Sequence, residues 1–179
     1  GVATGLVYGP YHYTDQLGPK FIGLVPWLIP VAWTFMIYPS MVIAQRLAPE
    51  SVTGFKRGVV VAALSGVIMT AWDVVMDPMM VYGGNWIWEV QGGYFGVPLQ
   101  NFWGWWLTTF TAVALFLLFS RKMTMPIPRL PDRWAVYLYT MTGCSSVATS
   151  LIVGLSGSAL AGIFAMLPWV IMGWWRTRE

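Results

Sequence analysis

The sequence predicts an all-α, polytopic integral membrane protein with about five transmembrane helices, and three observations carry that prediction. Hydrophobic residues make up 57% of the 179 positions and charged residues only 9%, where a soluble domain carries about 25% charge. Five apolar stretches reach, or nearly reach, the roughly 20 residues that cross a bilayer. The connectors between them alternate between basic and base-poor, as the loops of a polytopic chain do. Mean hydropathy is +0.62. By length, residues 1–179 form a single membrane-embedded domain. The chain opens on Gly1 and shows no basic region followed by a short apolar run, so no signal peptide is read, and further sequence upstream, a helix among it, is expected.

The first expected span, 21–45, contains Pro26, Pro30 and Pro39 and should be kinked or broken near its start. The second runs over 58–80 and the third over 99–119. Spans four and five, 134–153 and 157–175, flank the turn "GLSG". Small residues recur every four positions at Ser146, Ser150, Gly154, Ser158 and Gly162, a pattern that predicts close helix packing. Cys144 stands alone in an apolar run and reads as a small buried residue with no disulfide partner. A faint internal echo relates "GLVPWLIPVAW" to "FGVPLQNFWGW": each carries Pro and Trp seven apart on entry to a span.

Charge gives the expected orientation. Nine of the ten basic residues, among them Arg46, Lys56, Arg57, Arg121, Lys122, Arg129 and Arg133, fall on one side, and only Lys20 on the other. The positive-inside rule makes the basic side, with the C-terminus, cytoplasmic. The N-terminal segment, the 81–98 loop and the "GLSG" turn then face outward. The net charge of +3 is thus a feature of loops, and no nucleic-acid partner is expected.

Two carboxylates break the apolar pattern of the second span. Asp73 and Asp77 in "TAWDVVMDPMMV" lie four residues apart, on one helical face and about one turn (roughly 6 Å) from each other. A carboxylate at mid-bilayer costs roughly 2.5–3.5 kcal/mol on insertion scales, so both should point into the bundle or a wet cavity. Near their outer end gather Glu89, Asn85, Tyr94, Trp86 and Trp88 from the loop, Asn101 from the next span, and Tyr8, Tyr11, His12, Tyr13 and Asp15 from the N-terminal segment.

The residue types narrow the chemistry. The three lysines flank spans, which argues against a retinal Schiff base, and a single histidine rules out bis-histidine haem. A zinc site lacks His and Cys ligands, and no metal site is expected. Asp-x-x-x-Asp is similar to the aspartate pairs that hold Mg²⁺ and diphosphate in membrane prenyltransferases. Such a site also needs further acidic ligands and nearby basic groups, and here the basic residues sit at the opposite face. Acid–base work on an apolar substrate fits better. A carboxyl beside hydrocarbon holds its proton more readily than one in water, and two a turn apart can divide the roles of acid and base. Trp and Tyr π faces can stabilise a developing cation. The plain alternative is structural: both aspartates hydrogen-bond across helices, to Asn101 or to tyrosine hydroxyls.

The strings "TGLVYGPYHYTDQLGP", "GLVPWLIPVAW", "TAWDVVMDPMMV" and "NWIWEVQGGYFGVPLQNFWGW" resemble the membrane-type carotenoid biosynthesis family, that of the carotenoid hydratases. The likeness is specific over residues 1 to about 107 and follows hydropathy alone beyond. It implies a protein of a prokaryotic cytoplasmic membrane that adds water across the terminal C=C of an acyclic carotenoid end group, with no cofactor. On that reading Asp73 or Asp77 donates the proton and the other orients water. Glu89, Asn101 and Tyr13 are further candidates for positioning water, and Trp72, Trp86 and Trp88 for lining the polyene end. The second reading is a carotenoid-binding accessory subunit, without turnover, embedded among other membrane subunits of a photosynthetic pigment–protein complex.

Overall fold

The computed structural model describes residues 2–120 and 131–177. Arg121, Lys122, Arg129 and Arg178, on which part of the charge argument rests, lie outside the described residues. Five helices form the bundle: α1 (Leu28–Leu47), α2 (Gly54–Tyr82), α3 (Leu99–Ser120), α4 (Asp132–Ile152) and α5 (Ser156–Arg176). Three short strands precede them, β1 (Tyr11–Tyr13), β2 (Lys20–Phe21) and β3 (Val25–Pro26), and a fourth, β4 (Trp86–Trp88), follows α2.

α2 is the axis of the bundle and touches each of the other four helices. Its 29 residues span about 43 Å at 1.5 Å per residue, well over the roughly 30 Å of a hydrocarbon core. Phe35, Leu118, Phe119, Phe164, Ile171 and Trp175 are exposed on the outer helices. Such residues are solvated by lipid rather than by water, and the chain is an integral membrane protein. α1, α2, α3 and α5 are each long and apolar enough to cross a bilayer. α4 has the length, 21 residues, but carries three serines and three threonines, which lower its hydropathy.

The first span differs from expectation at its start. Residues 20–26 form the β2–β3 hairpin, Lys20 opposite Pro26, and the helix begins only at Leu28. Pro26 therefore closes a strand, and Pro30 falls in the first helical turn, where an absent N–H costs no intrahelical bond. Pro39 lies in the helix interior.

The small-residue ladder packs as expected except at Gly154, which lies in the turn between α4 and α5 with open space beside it. Ser146, Ser150 and Ser158 are buried, and α5 comes so close to α2 at Gly162 that any Cβ there would overlap Val75. Cys144 corrects its expectation: it is exposed. Tyr139, Gly143, Ser146 and Ser150 turn the same face of α4 inward, and position 144 lies about 100° of helical rotation from Gly143, outside that face.

Connectors sort to the two ends of the bundle. At one end β1 pairs with β4, and Phe95 of the 89–98 loop reaches Gly157 at the start of α5. At the other end Arg46 of α1 pairs with Asp132 of α4. There Arg57 also donates to the carbonyls of Gln45, Ala48 and Pro49, closing the C-terminus of α1.

Candidate active site

A two-stranded ribbon roofs one end of the bundle. β1 and β4 run antiparallel with Tyr11 opposite Trp88, His12 opposite Ile87 and Tyr13 opposite Trp86. Side chains alternate between faces along a strand, so Tyr11, Tyr13, Trp86 and Trp88 share the inner face while His12 and Ile87 share the outer one. The rings interlock: Tyr13 meets Trp86 edge-on at 5.7 Å, and Tyr11 lies 4.8 Å from Trp88 between centroids. Thr14 ties the ribbon down, its Oγ1 donating to Gly84 O at 2.7 Å and its N–H to Asn85 O at 3.1 Å.

Beneath the roof, Asp73 and Asp77 are both fully buried on the inward face of α2. Asn101, in the first turn of α3, bridges them. Its Nδ2 donates to Asp73 Oδ2 at 2.9 Å and to Asp77 Oδ2. An amide nitrogen has two hydrogens, so one group serves both carboxyls. Trp86 Nε1 donates to the other Asp77 oxygen at 2.7 Å, while Asp73 Oδ1 has no hydrogen-bond partner among the described residues. Pro78, next to Asp77, leaves the Val74 carbonyl without its helical donor. The Tyr94 hydroxyl supplies one at 2.9 Å. Tyr94→Phe orphans that carbonyl and is expected to cost about 1–3 kcal/mol of stability, read as a lower melting midpoint in detergent.

The pair borders a cavity of about 390 Å³, within the roughly 300–1,000 Å³ of small-molecule sites. Asp77 and Asn101 line it; Asp73 sits behind them. The roof contributes Tyr11, Tyr13, Trp86 and Trp88, the helices Ile29, Trp33, Trp72, Met76 and Trp105. Trp33 and Trp105 stack at 4.3 Å with 18° between planes, and Trp72 meets Trp105 edge-on. These stacked rings are the tryptophans of the two Pro-x₆-Trp echoes, Pro26 to Trp33 and Pro98 to Trp105, which meet across the cavity. Tyr8 completes the wall, donating to or accepting from Thr108 Oγ1 at 2.5 Å. Gly104 makes room for it, since a Cβ there would stand 2.6 Å from the Tyr8 ring. Burial pushes the Tyr8 phenol up to about 12, against a lowering by its Thr108 bond. Burial likewise raises Tyr11 and Tyr13, so all three phenols stay neutral at physiological pH.

The sequence family described as "Carotenoid biosynthesis protein" matches residues 1–168. The chain belongs to this family. A curated relative, bisanhydrobacterioruberin hydratase of Haloarcula japonica, is 34% identical over 121 residues, which cover 65% of this chain and 38% of the relative. The chain thus spans well under half the length of the curated relative it matches. No solved structure matches it.

In this carotenoid biosynthesis protein the candidates from sequence divide into two groups. Asp77, Asn101, Trp72, Trp86, Trp88 and Tyr13 come together at the cavity, with Asp73 directly behind. His12, Glu89 and Tyr94 do not line it. His12 Nδ1 and Glu89 Oε1 lie 3.6 Å apart on the outer side of the ribbon, both more than half exposed, because the strand alternation turns them away. Tyr94 reaches α2 at the Val74 carbonyl and serves the helix there. Sequence reasoning placed Tyr8 and Tyr11 at this face without singling them out, and it missed Trp33 and Trp105. The triplet Tyr-His-Tyr held a signal for Tyr11, since alternation puts its two tyrosines on one face. The Pro-x₆-Trp echo held one for the stacked pair.

Proposed function

We propose that the chain hydrates the terminal C=C of an acyclic carotenoid end group. The observation that carries this reading is the placement of Asp77: a buried carboxyl on the wall of a Trp-rich cavity, joined through Asn101 to a second carboxyl outside it. The family, and a relative named as a hydratase, agree with it.

In this mechanism the Asp77 carboxyl gives its proton to the less substituted carbon of the alkene, leaving a tertiary cation and a carboxylate. Water adds to the cation, and its surplus proton returns to the carboxylate. The net change is one water added, with no electrons gained or lost. Trp33, Trp105 and Trp72 present ring surface to the cationic carbon. Asn101 holds Asp77 in place, and its N–H bond stabilises the negative charge that appears on Asp77 when the proton leaves. A cavity of about 390 Å³ suits an end group rather than a whole polyene, whose remainder would stay in the bilayer. The charge pattern supports a cytoplasmic membrane location with Arg46, Lys56, Arg57 and the C-terminus inside, and the roofed end outside.

Expression in a host that accumulates an acyclic carotenoid tests the reading. Mass spectrometry of the pigments should show a gain of one water. Pigment that copurifies with the chain but never gains mass would instead favour a binding subunit. His12→Ala and Glu89→Gln, on the outer ribbon face, are expected to change the yield of hydrated pigment by no more than about twofold, in line with surface substitutions worth about ±0.5 kcal/mol. A large loss in either would move the site to the outer face.

A further inference from the structure

We propose that the hydroxyls of Tyr11 and Tyr13 hold the water that captures the cation, and so decide whether the cation leaves as alcohol or returns to alkene. The inference rests on the hydratase reading and deepens it.

Position is the first argument. Strand alternation places both rings on the inner face of the ribbon, on the wall of the cavity that Asp77 lines. Tyr13 also packs edge-on against Trp86, whose indole N–H bonds Asp77.

Hydrogen-bonding capacity is the second. The two hydroxyls are 3.3 Å apart and bond each other, with no other partner among the described residues. Two phenols offer two donors and four lone pairs. After one mutual bond, one O–H and several lone pairs remain, enough for a water to accept from one and donate to the other.

The third argument is that most of the cavity's other polar groups are already engaged. Asn101 Nδ2 is spent on the two carboxyls. Ser146 Oγ accepts from Trp72 Nε1 and donates to the Thr142 carbonyl. Tyr8 is bonded to Thr108, and Trp88 Nε1, without a partner among the described residues, is buried. Asn101 Oδ1 offers an acceptor only, whereas the tyrosine pair offers both a donor and acceptors to a water beside Asp77.

The chemistry divides accordingly. Neutral phenols orient the water oxygen toward the cation but do not take its proton, which passes to the Asp77 carboxylate as the C–O bond forms. Without an oriented water the same carboxylate removes a proton from a methyl beside the cation, and the cation leaves as an alkene that keeps the newly added hydrogen.

The partition can be read in D2O, with membranes containing the full chain and an acyclic carotenoid. The wild-type protein should give alcohol bearing one carbon-bound deuterium, with little deuterium in the recovered alkene. Tyr11→Phe and Tyr13→Phe, and the double variant most, should lose alcohol while deuterium still washes into the alkene. The exchange-to-hydration ratio should rise at least about tenfold. This ratio is internal to each turnover and does not depend on how much protein folds. An unchanged ratio, whether both products persist or both fall together, would overturn the inference. A wild-type protein yielding neither alcohol nor exchange would overturn the hydratase reading, and the inference with it.

Discussion

Asp77→Asn is expected to lower hydration at least about a hundredfold, the scale on which a positioned general acid contributes. The substitution keeps the shape of the side chain and an oxygen that can accept from Trp86 Nε1, a 2.7 Å bond in the native protein. The ribbon should therefore stay seated, and the loss should appear in the pigment rather than in the amount of folded protein. Mass spectrometry of the carotenoids, set beside the monodisperse yield in detergent, separates the two. Asp73→Asn removes a carboxyl that does not line the cavity and is expected to lose markedly less. Hydration at wild-type level in both variants would end the carboxylate mechanism.

Asn101→Ala is expected to be the more damaging change to the protein itself. One amide nitrogen serves both buried carboxyls, and Asp73 receives no other hydrogen bond among the described residues. Its removal leaves Asp73 without a donor and Asp77 with Trp86 alone, in a region shut off from bulk water. Each orphaned buried group costs about 1–3 kcal/mol and charged ones more, so a loss of about 3 kcal/mol or greater should appear as a lower melting midpoint. Activity should fall with it, because Asp77 loses the contact that fixes its rotamer. A variant that melts and hydrates like the native protein would show that the bridge carries neither role.

The helices were legible because hydropathy is a local property: the apolar runs at 58–80 and 99–119 contain little else and form α2 and α3. The aspartate pair was legible for the same reason, since i, i+4 spacing puts both carboxyls on one face without reference to the rest of the chain. Trp86, Trp88 and Tyr13 were found as members of aromatic loops, but so was His12, because a loop read without strand alternation has no inner or outer face. Tyr-His-Tyr and Trp-Ile-Trp become informative only once they are paired. Trp33 and Trp105 were visible as a repeated spacing, yet their stacking depends on how α1 and α3 pack, which is a tertiary fact. Tyr94 was found as a loop aromatic, but its role was not, because it serves a carbonyl twenty residues earlier in the chain that Pro78 leaves without a donor.

The ribbon also sets an order of events during synthesis. Residues 11–13 emerge before α1, but their partners 86–88 follow only after α1 and α2 have both been threaded into the membrane. Until then the inner tyrosines have nothing to lie against, and the closing of so long a loop carries an entropic cost that grows slowly with its length. The two strands come from segments with two spans between them, so the roof forms only when those segments emerge on the same side. A chain with one span misplaced would still be greasy, helical and membrane-bound, but it would have no lid over its carboxyls. Pairing of β1 with β4 is thus a checkpoint on insertion as well as a wall of the site.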